Sequence, residues 1–187
     1  MRQLLLVLAL VSAFIFSAQA ANSQPLITNT VSLGEHGTLE IPIPKDWTLT
    51  HTNMQLRGDP TSIELHSASN TVAIRVTIYW DGVGSKKLTD ADMETVVSNG
   101  VVLQYLPIAV EKTFTLEKLQ GPGVTGVFAR FTDASWTPMA KNEFRNLATG
   151  MFRSGNLWGN FDLLSNDKDG PSFQQGLKVM QSFRRQP

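Results

Sequence analysis

From Val72 to Trp80 the chain alternates, with Val72, Ile74, Val76, Ile78 and Trp80 set against Ala73, Arg75, Thr77 and Tyr79. A period of two predicts a half-buried strand. Ser62 to His66 precedes it across a Ser-Ala-Ser-Asn loop, so the two read as a hairpin. A longer hairpin runs from Phe144 to Leu164 and folds at Gly155-Asn156, a two-residue loop of the kind that closes type I′ or II′ turns. Such a loop sets the register. Ser154 then faces Leu157, Phe152 faces Gly159, Gly150 faces Phe161 and Ala148 faces Leu163, which makes one face apolar and covers each of its glycines with an aromatic ring. The other face is mixed: Arg153 against Trp158, Met151 against Asn160, Thr149 against Asp162 and Leu147 against Leu164. The last helix is expected to lie on that mixed face, with Arg153 and Trp158 forming a cross-strand cation–π pair at the tip.

The remaining elements read as follows. Thr30 to Leu33 and Thr38 to Pro44 are short strands turned at Glu35-His36-Gly37, with Pro42 and Pro44 confining the second to an edge or a strand end. Trp47 is placed in the core. Asp81 to Ser85 breaks the sheet, and Thr89 opens a helix with Asp92 completing a capping box and Met93, Val96, Val97 and Val101 as its apolar stripe. Pro107 ends it. Strands are expected over Lys112 to Leu119 and Val124 to Thr132, turned at Gln120 to Gly123, followed by a loop from Asp133 to Glu143. The final helix starts between Asp169 and Ser172, with Ser172 and Gln175 as capping candidates and Phe173, Leu177, Met180 and Phe183 directed at the sheet. This order predicts an α+β domain with a mainly antiparallel sheet and helices packed on it.

Composition adds a destination. Arg2, the apolar run Leu4 to Phe16 and Ala18-Gln19-Ala20 make the pattern of a secretory signal peptide over residues 1–20, cleaved after Ala20. Residues 21–30 read as a flexible leader and 31–187 as a single domain. The chain has no cysteine, so disulfides, thiolate metal sites, a thiol nucleophile and a lipid-anchoring cysteine are all excluded. No later stretch reaches the roughly 20 apolar residues of a spanning helix. The expected location is periplasmic or secreted, with neither membrane span nor lipid anchor. Sixteen basic residues balance sixteen acidic ones, which argues against nucleic acid as a partner.

Several patterns resemble chemistry and fail in context. Gly121 to Gly126 matches G-x-G-x-x-G, but the alternating segment after it is a strand and not the helix a dinucleotide site needs, so it reads as a hairpin turn. Ser165 to Gly170 has two aspartates at calcium-loop spacing, yet Gly176 stands where the bidentate glutamate belongs, and a turn with a helix cap accounts for it better. His36, His51 and His66 lack metal-ligand spacing. No G-x-S-x-G elbow or paired-acid signature is present, and no metal or cofactor is expected. One constellation stands out: if Ile63 and Leu65 share a face with Val72 and Ile74, then Glu64, His66, Arg75, Thr77 and Tyr79 gather on the opposite face. That face is either a solvated surface carrying a Glu64–Arg75 pair or a polar pocket under a helix.

Ile41 to Trp47, with Pro44-x-x-Trp47 running out of a strand, and Val179 to Phe183, with a helix ending at Ser182-Phe183, are similar to motifs of the PsbP-like family. That family is named for an extrinsic subunit of photosystem II and shares its fold with a Ran-binding nuclear import factor and small exported bacterial proteins. The resemblance implies an α/β/α sandwich around a central, mainly antiparallel sheet flanked by helices, used for binding and assembly more than for catalysis. The expected function is therefore a non-enzymatic binding or assembly module of the bacterial cell envelope, its partner another envelope protein. Trp136 is the candidate anchor, since aromatic residues dominate interface hot spots. The alternative is a small-ligand-binding protein or hydrolase using Glu64, His66, Arg75 and Tyr79.

Overall fold

The computed structural model describes residues 25–53, 60–80, 88–137 and 143–186. The expected signal peptide and the break at residues 81–85 lie outside them. Along the described residues run β1 (Leu26–Ser32), a 3-10 turn (Gly34–His36), β2 (Thr38–Pro44), β3 (Thr48–Asn53), β4 (Thr61–His66), β5 (Val72–Trp80) and α1 (Asp90–Gln104). They continue with β6 (Glu117–Gln120), β7 (Thr125–Thr132), β8 (Asn146–Ser154), β9 (Leu157–Ser165), α2 (Pro171–Gln181) and β10 (Arg184–Gln186).

The β8–β9 hairpin has the register that its turn dictates, from Ser154 opposite Leu157 to Leu147 opposite Leu164. Gly155 turns the chain at φ +63°, a left-handed value that glycine adopts without strain. β5 pairs with β9 and β7 with β8, which makes the hairpin the middle of a seven-stranded sheet ordered β3-β4-β5-β9-β8-β7-β6. Every pairing is antiparallel. Phe152 and Phe161 are 0 % and 2 % exposed on the dry face, their rings 6.4 Å apart, and Phe183 meets Phe152 edge-on at 6.0 Å.

The helices do not form two covering layers, and the expected α/β/α sandwich is corrected on this point. Two antiparallel sheets dominate, the second a three-stranded sheet ordered β1-β2-β10. Its Val31, Leu39, Ile41 and Ile43 share one core cluster with Ile63, Ile74 and Phe161 of the larger sheet and with Val179 and Met180 of α2. The dry face is thus covered jointly by sheet and helix. The chain ends explain this: residues 26–44 alternate in short runs that suit strands, and Pro42 and Pro44 forbid a helix there. β1 begins at Leu26, inside the stretch expected to be a leader. Pro42 sits in the middle strand of the small sheet, yet β10 pairs only with Thr38 to Glu40, so Pro42 has a strand on one side alone. Its missing N–H therefore costs no ladder bond.

The last helix sits opposite to expectation as well. α2 lies on the dry face, where a Cβ on Gly176 would come within 2.3 Å of Leu163 Cδ1. α1 takes the mixed face, with Met93, Val97 and Val101 packed on Val127, Ala129, Phe131 and Met151. Thr89 and Asp92 form the expected capping box, Asp92 N donating to Thr89 Oγ1 at 3.2 Å and Thr89 N to Asp92 Oδ2 at 2.9 Å. The start of α2 is satisfied by Asp167, whose carboxylate accepts from the Ser172 and Phe173 amides at 3.0 and 2.9 Å. Arg153 makes no ring contact with Trp158; it donates to Leu88 O at 3.1 Å and Asp90 Oδ1 at 3.3 Å, tying the hairpin tip to the first turn of α1. The strand expected from Lys112 is reduced to Glu117–Gln120 because Phe114 and Leu116 turn inward against the α1 cluster.

Glu111 fastens this irregular stretch to the sheet. Its carboxylate accepts from Thr132 N at 2.7 Å and Thr132 Oγ1 at 2.9 Å, and also from Lys168 Nζ. Burial alone would raise its pKa, but the Lys168 and Thr132 hydrogen bonds win and hold it at about 2, against an ordinary 4.5. A depressed carboxyl stabilises the fold above its unfolded pKa, and that contribution disappears as pH falls from about 4.5 towards 2. Glu111→Gln is expected to cost on the order of 1–2 kcal/mol at pH 7, allowing for screening at a partly exposed site. Denaturant unfolding should show the gap to wild type constant above about pH 5 and closing towards pH 2.

Candidate functional site

Because α1 packs on β7 and β8, it covers only half of the mixed face. The Glu94–Lys118 ion pair turns one flank of the helix towards β6. Val96, on the opposite flank by helical spacing, is half exposed. Beyond it, among the described residues, β3, β4 and β5 carry the mixed face without a helix above them, and β9 forms the margin, with Trp158 packing against the α1 cluster.

Antiparallel register arranges that open half in transverse rows. One row runs Thr50, Glu64, Arg75, Asp162, Thr149; the next Thr52, Ser62, Thr77, Asn160, Met151; the third Tyr79, Trp158, Arg153. The expected Glu64–Arg75 pair forms, Arg75 Nε lying 3.4 Å from Glu64 Oε1, and His66 Nε2 lies 3.9 Å from the other oxygen. These side chains are 50 %, 60 % and 37 % exposed for Glu64, Arg75 and His66. Tyr79 does not converge with them. It lies four residues along β5 from Arg75, roughly 13 Å at strand rise, and stacks on Trp158 with ring centroids 4.5 Å apart and planes 20° from parallel.

Asp162 is the one carboxylate drawn under cover. Burial raises its pKa, against the pull of the Thr149 hydrogen bond and the Arg75 charge. Tyr105, at the end of α1, is raised by burial and then by the Asp162 charge, while a hydrogen bond with Thr149 opposes both. Among the described residues no group of three or more His, Cys, Asp or Glu side chains could hold a metal ion. An exposed, mutually neutralised ion pair can orient or bind a polar partner; it presents no enclosed reacting centre.

Trp136 lies away from this face, where the segment after α1 meets the end of β7. Arg145 places its guanidinium 5.6 Å from the centre of the Trp136 ring. The indole Nε1 is shielded and has no hydrogen-bond partner among the described residues. An Ala109–Asp133 bridge, Val110 N donating to Thr132 O at 2.8 Å and Ala134 N to Ile108 O at 3.1 Å, lays residues 108–110 alongside 132–134. Ala109 points inward, which turns Ile108 and Val110 outward at 60 % and 57 % exposure, with Leu103 on the last turn of α1 at 78 %. Sequence reasoning missed this patch. Its only signal was the alternation Ile108-Ala109-Val110 directly after Pro107.

No helix of the described residues is long and apolar enough to cross a membrane. No family model matches the chain, and no curated protein is similar to it in sequence. Among solved structures, the solution structure of cyanobacterial PsbP (CyanoP) from Synechocystis sp. PCC 6803 is similar, with a TM-score of 0.54 at 14 % identity. The match covers 92 % of this chain and 99 % of that one. The chain therefore has a PsbP-like fold.

Proposed function

We propose that the protein is an exported, non-enzymatic accessory or assembly module of the bacterial cell envelope, a single domain that includes β1 from Leu26 onward and is released by cleavage after Ala20, which docks onto another envelope protein. The observation that carries the docking is the apolar patch of Leu103, Ile108 and Val110 beside Trp136. Large apolar side chains exposed together on a rim mark interaction surfaces, and a half-buried tryptophan beside them supplies an aromatic anchor. Arg145, stacked on that ring, favours a partner that brings a carboxylate to an apolar knob. The signal-peptide pattern supports export, and the PsbP-like fold supports an accessory role.

The test is capture from envelope extract by the tagged protein, with Trp136→Ala and Ile108→Asp beside it. Truncating an anchor costs about 2 kcal/mol or more, roughly a thirtyfold loss of affinity. The expected result is a discrete partner retained by wild type and by Glu64→Ala, and lost by both patch variants. Equal capture by all four proteins would remove the docking surface from these residues.

A further inference from the structure

The open half of the seven-stranded sheet carries chemistry that the docking patch does not use, and we infer that it binds a neutral glycan. This inference is independent of protein docking. Arg153 anchors the Tyr79–Trp158 row to Leu88 and Asp90 at the start of α1, whereas Leu103 and Ile108 lie at or beyond the end of that helix, which spans roughly 22 Å at helical rise.

Three features converge on a sugar ligand. The first is the aromatic step. Trp158 lies between Tyr79 and Arg153 in register, and the stacked Tyr79 and Trp158 rings are each partly exposed. A pyranose presents an apolar face of C–H groups that suits such a ring. The second is the adjoining row. Thr52, Ser62, Thr77 and Asn160 stand side by side across four strands, with Thr52, Ser62 and Asn160 exposed. Hydroxyls and a carboxamide both donate and accept, matching ring hydroxyls or N-acetyl groups. Four adjacent strands span roughly 14 Å, room for a chain of sugars and not a single ring. The third is charge. Glu64 is balanced by Arg75 and flanked by His66, so the face attracts neither polyanions nor polycations while still offering carboxylate oxygens to hydroxyl donors.

The experiment titrates the full mature protein with an N-acetylglucosamine tetramer, following tryptophan fluorescence and amide NMR shifts, and sediments it with purified peptidoglycan. Saturable binding is expected, with shifts on β4, β5 and β9. Tyr79→Ala should weaken it at least tenfold and Asn160→Ala severalfold, with Ile108→Asp binding as wild type. Asn160 is exposed, so its variant decides the matter if Tyr79→Ala unfolds. No saturable response and no sedimentation, or binding undiminished in natively folded Asn160→Ala and Tyr79→Ala, overturns the inference. So does a protein captured through this face that the tetramer does not displace.

Discussion

Phe161→Ala is expected to lower the free energy of unfolding by about 3–5 kcal/mol, a large part of the 5–15 kcal/mol that typically holds a domain together. Phe161 is 2 % exposed and sits on β9 opposite Gly150. Its ring lies 6.1 Å from Phe128 and 6.4 Å from Phe152, tilted about 60° to each. Strand backbones cannot close over the void, because the hydrogen-bond ladders on both sides of β9 fix their spacing. The small sheet and α2 rest on the same cluster, so the loss should be felt in one cooperative transition, read by denaturant unfolding. A loss below about 1 kcal/mol would mean that the core is not built around this hairpin.

Gly150→Ala should be nearly as damaging, for a backbone reason. A Cβ there would stand 2.2 Å from Val127 O and 2.6 Å from Phe128 Cβ, neither of which is the free end of a flexible side chain. β7 would have to move away from β8, and the cost is expected to be about 3 kcal/mol or more. Gly100 makes the contrast within the same protein. It lies inside α1, where a Cβ meets nothing within 4 Å. Gly100→Ala should therefore stabilise the fold by about 0.5–1 kcal/mol through helix propensity alone. Thermal melts of the two variants should shift in opposite directions; shifts of the same sign would contradict the packing described for β7 and β8.

Local signals in the sequence were strong where one residue type has one physical use. Gly155-Asn156 gave the whole β8–β9 register, Thr89 and Asp92 the start of α1, and the alternation of β5 its two faces. What could not be read was which layer covers which face. The stripes of α1 and α2 are both apolar, and the choice between them depends on close approach at Gly176 and on a second sheet built from residues far apart in sequence, β1 and β2 with β10. β3 was invisible because Thr48, Thr50 and Thr52 expose polar side chains on one face and Leu49 is a lone apolar residue in the strand, packed against the core. Helix-flanked sandwich geometry was overestimated for the same reason: short strands that pair only at long range leave a weak local pattern.

The candidate site was legible in part. Direct opposition of Glu64 and Arg75 follows from strand register and was anticipated. Tyr79 belongs to a different row, with Trp158, which only the pairing of β5 with β9 reveals. Ile108 and Val110 become a patch through the Ala109–Asp133 bridge, a contact between segments more than twenty residues apart. The surfaces proposed for protein and for glycan are products of topology more than of motif, which is why no short pattern announced them.

The most direct test of the docking reading is site-specific photo-crosslinking in the intact envelope, with the reactive side chain at Ile108 and, as a control, at exposed Gln174 on α2. A single discrete protein adduct is expected from position 108, disappearing in the Trp136→Ala background, and none from position 174. No adduct from position 108, or the same adduct from both positions, would contradict the docking reading.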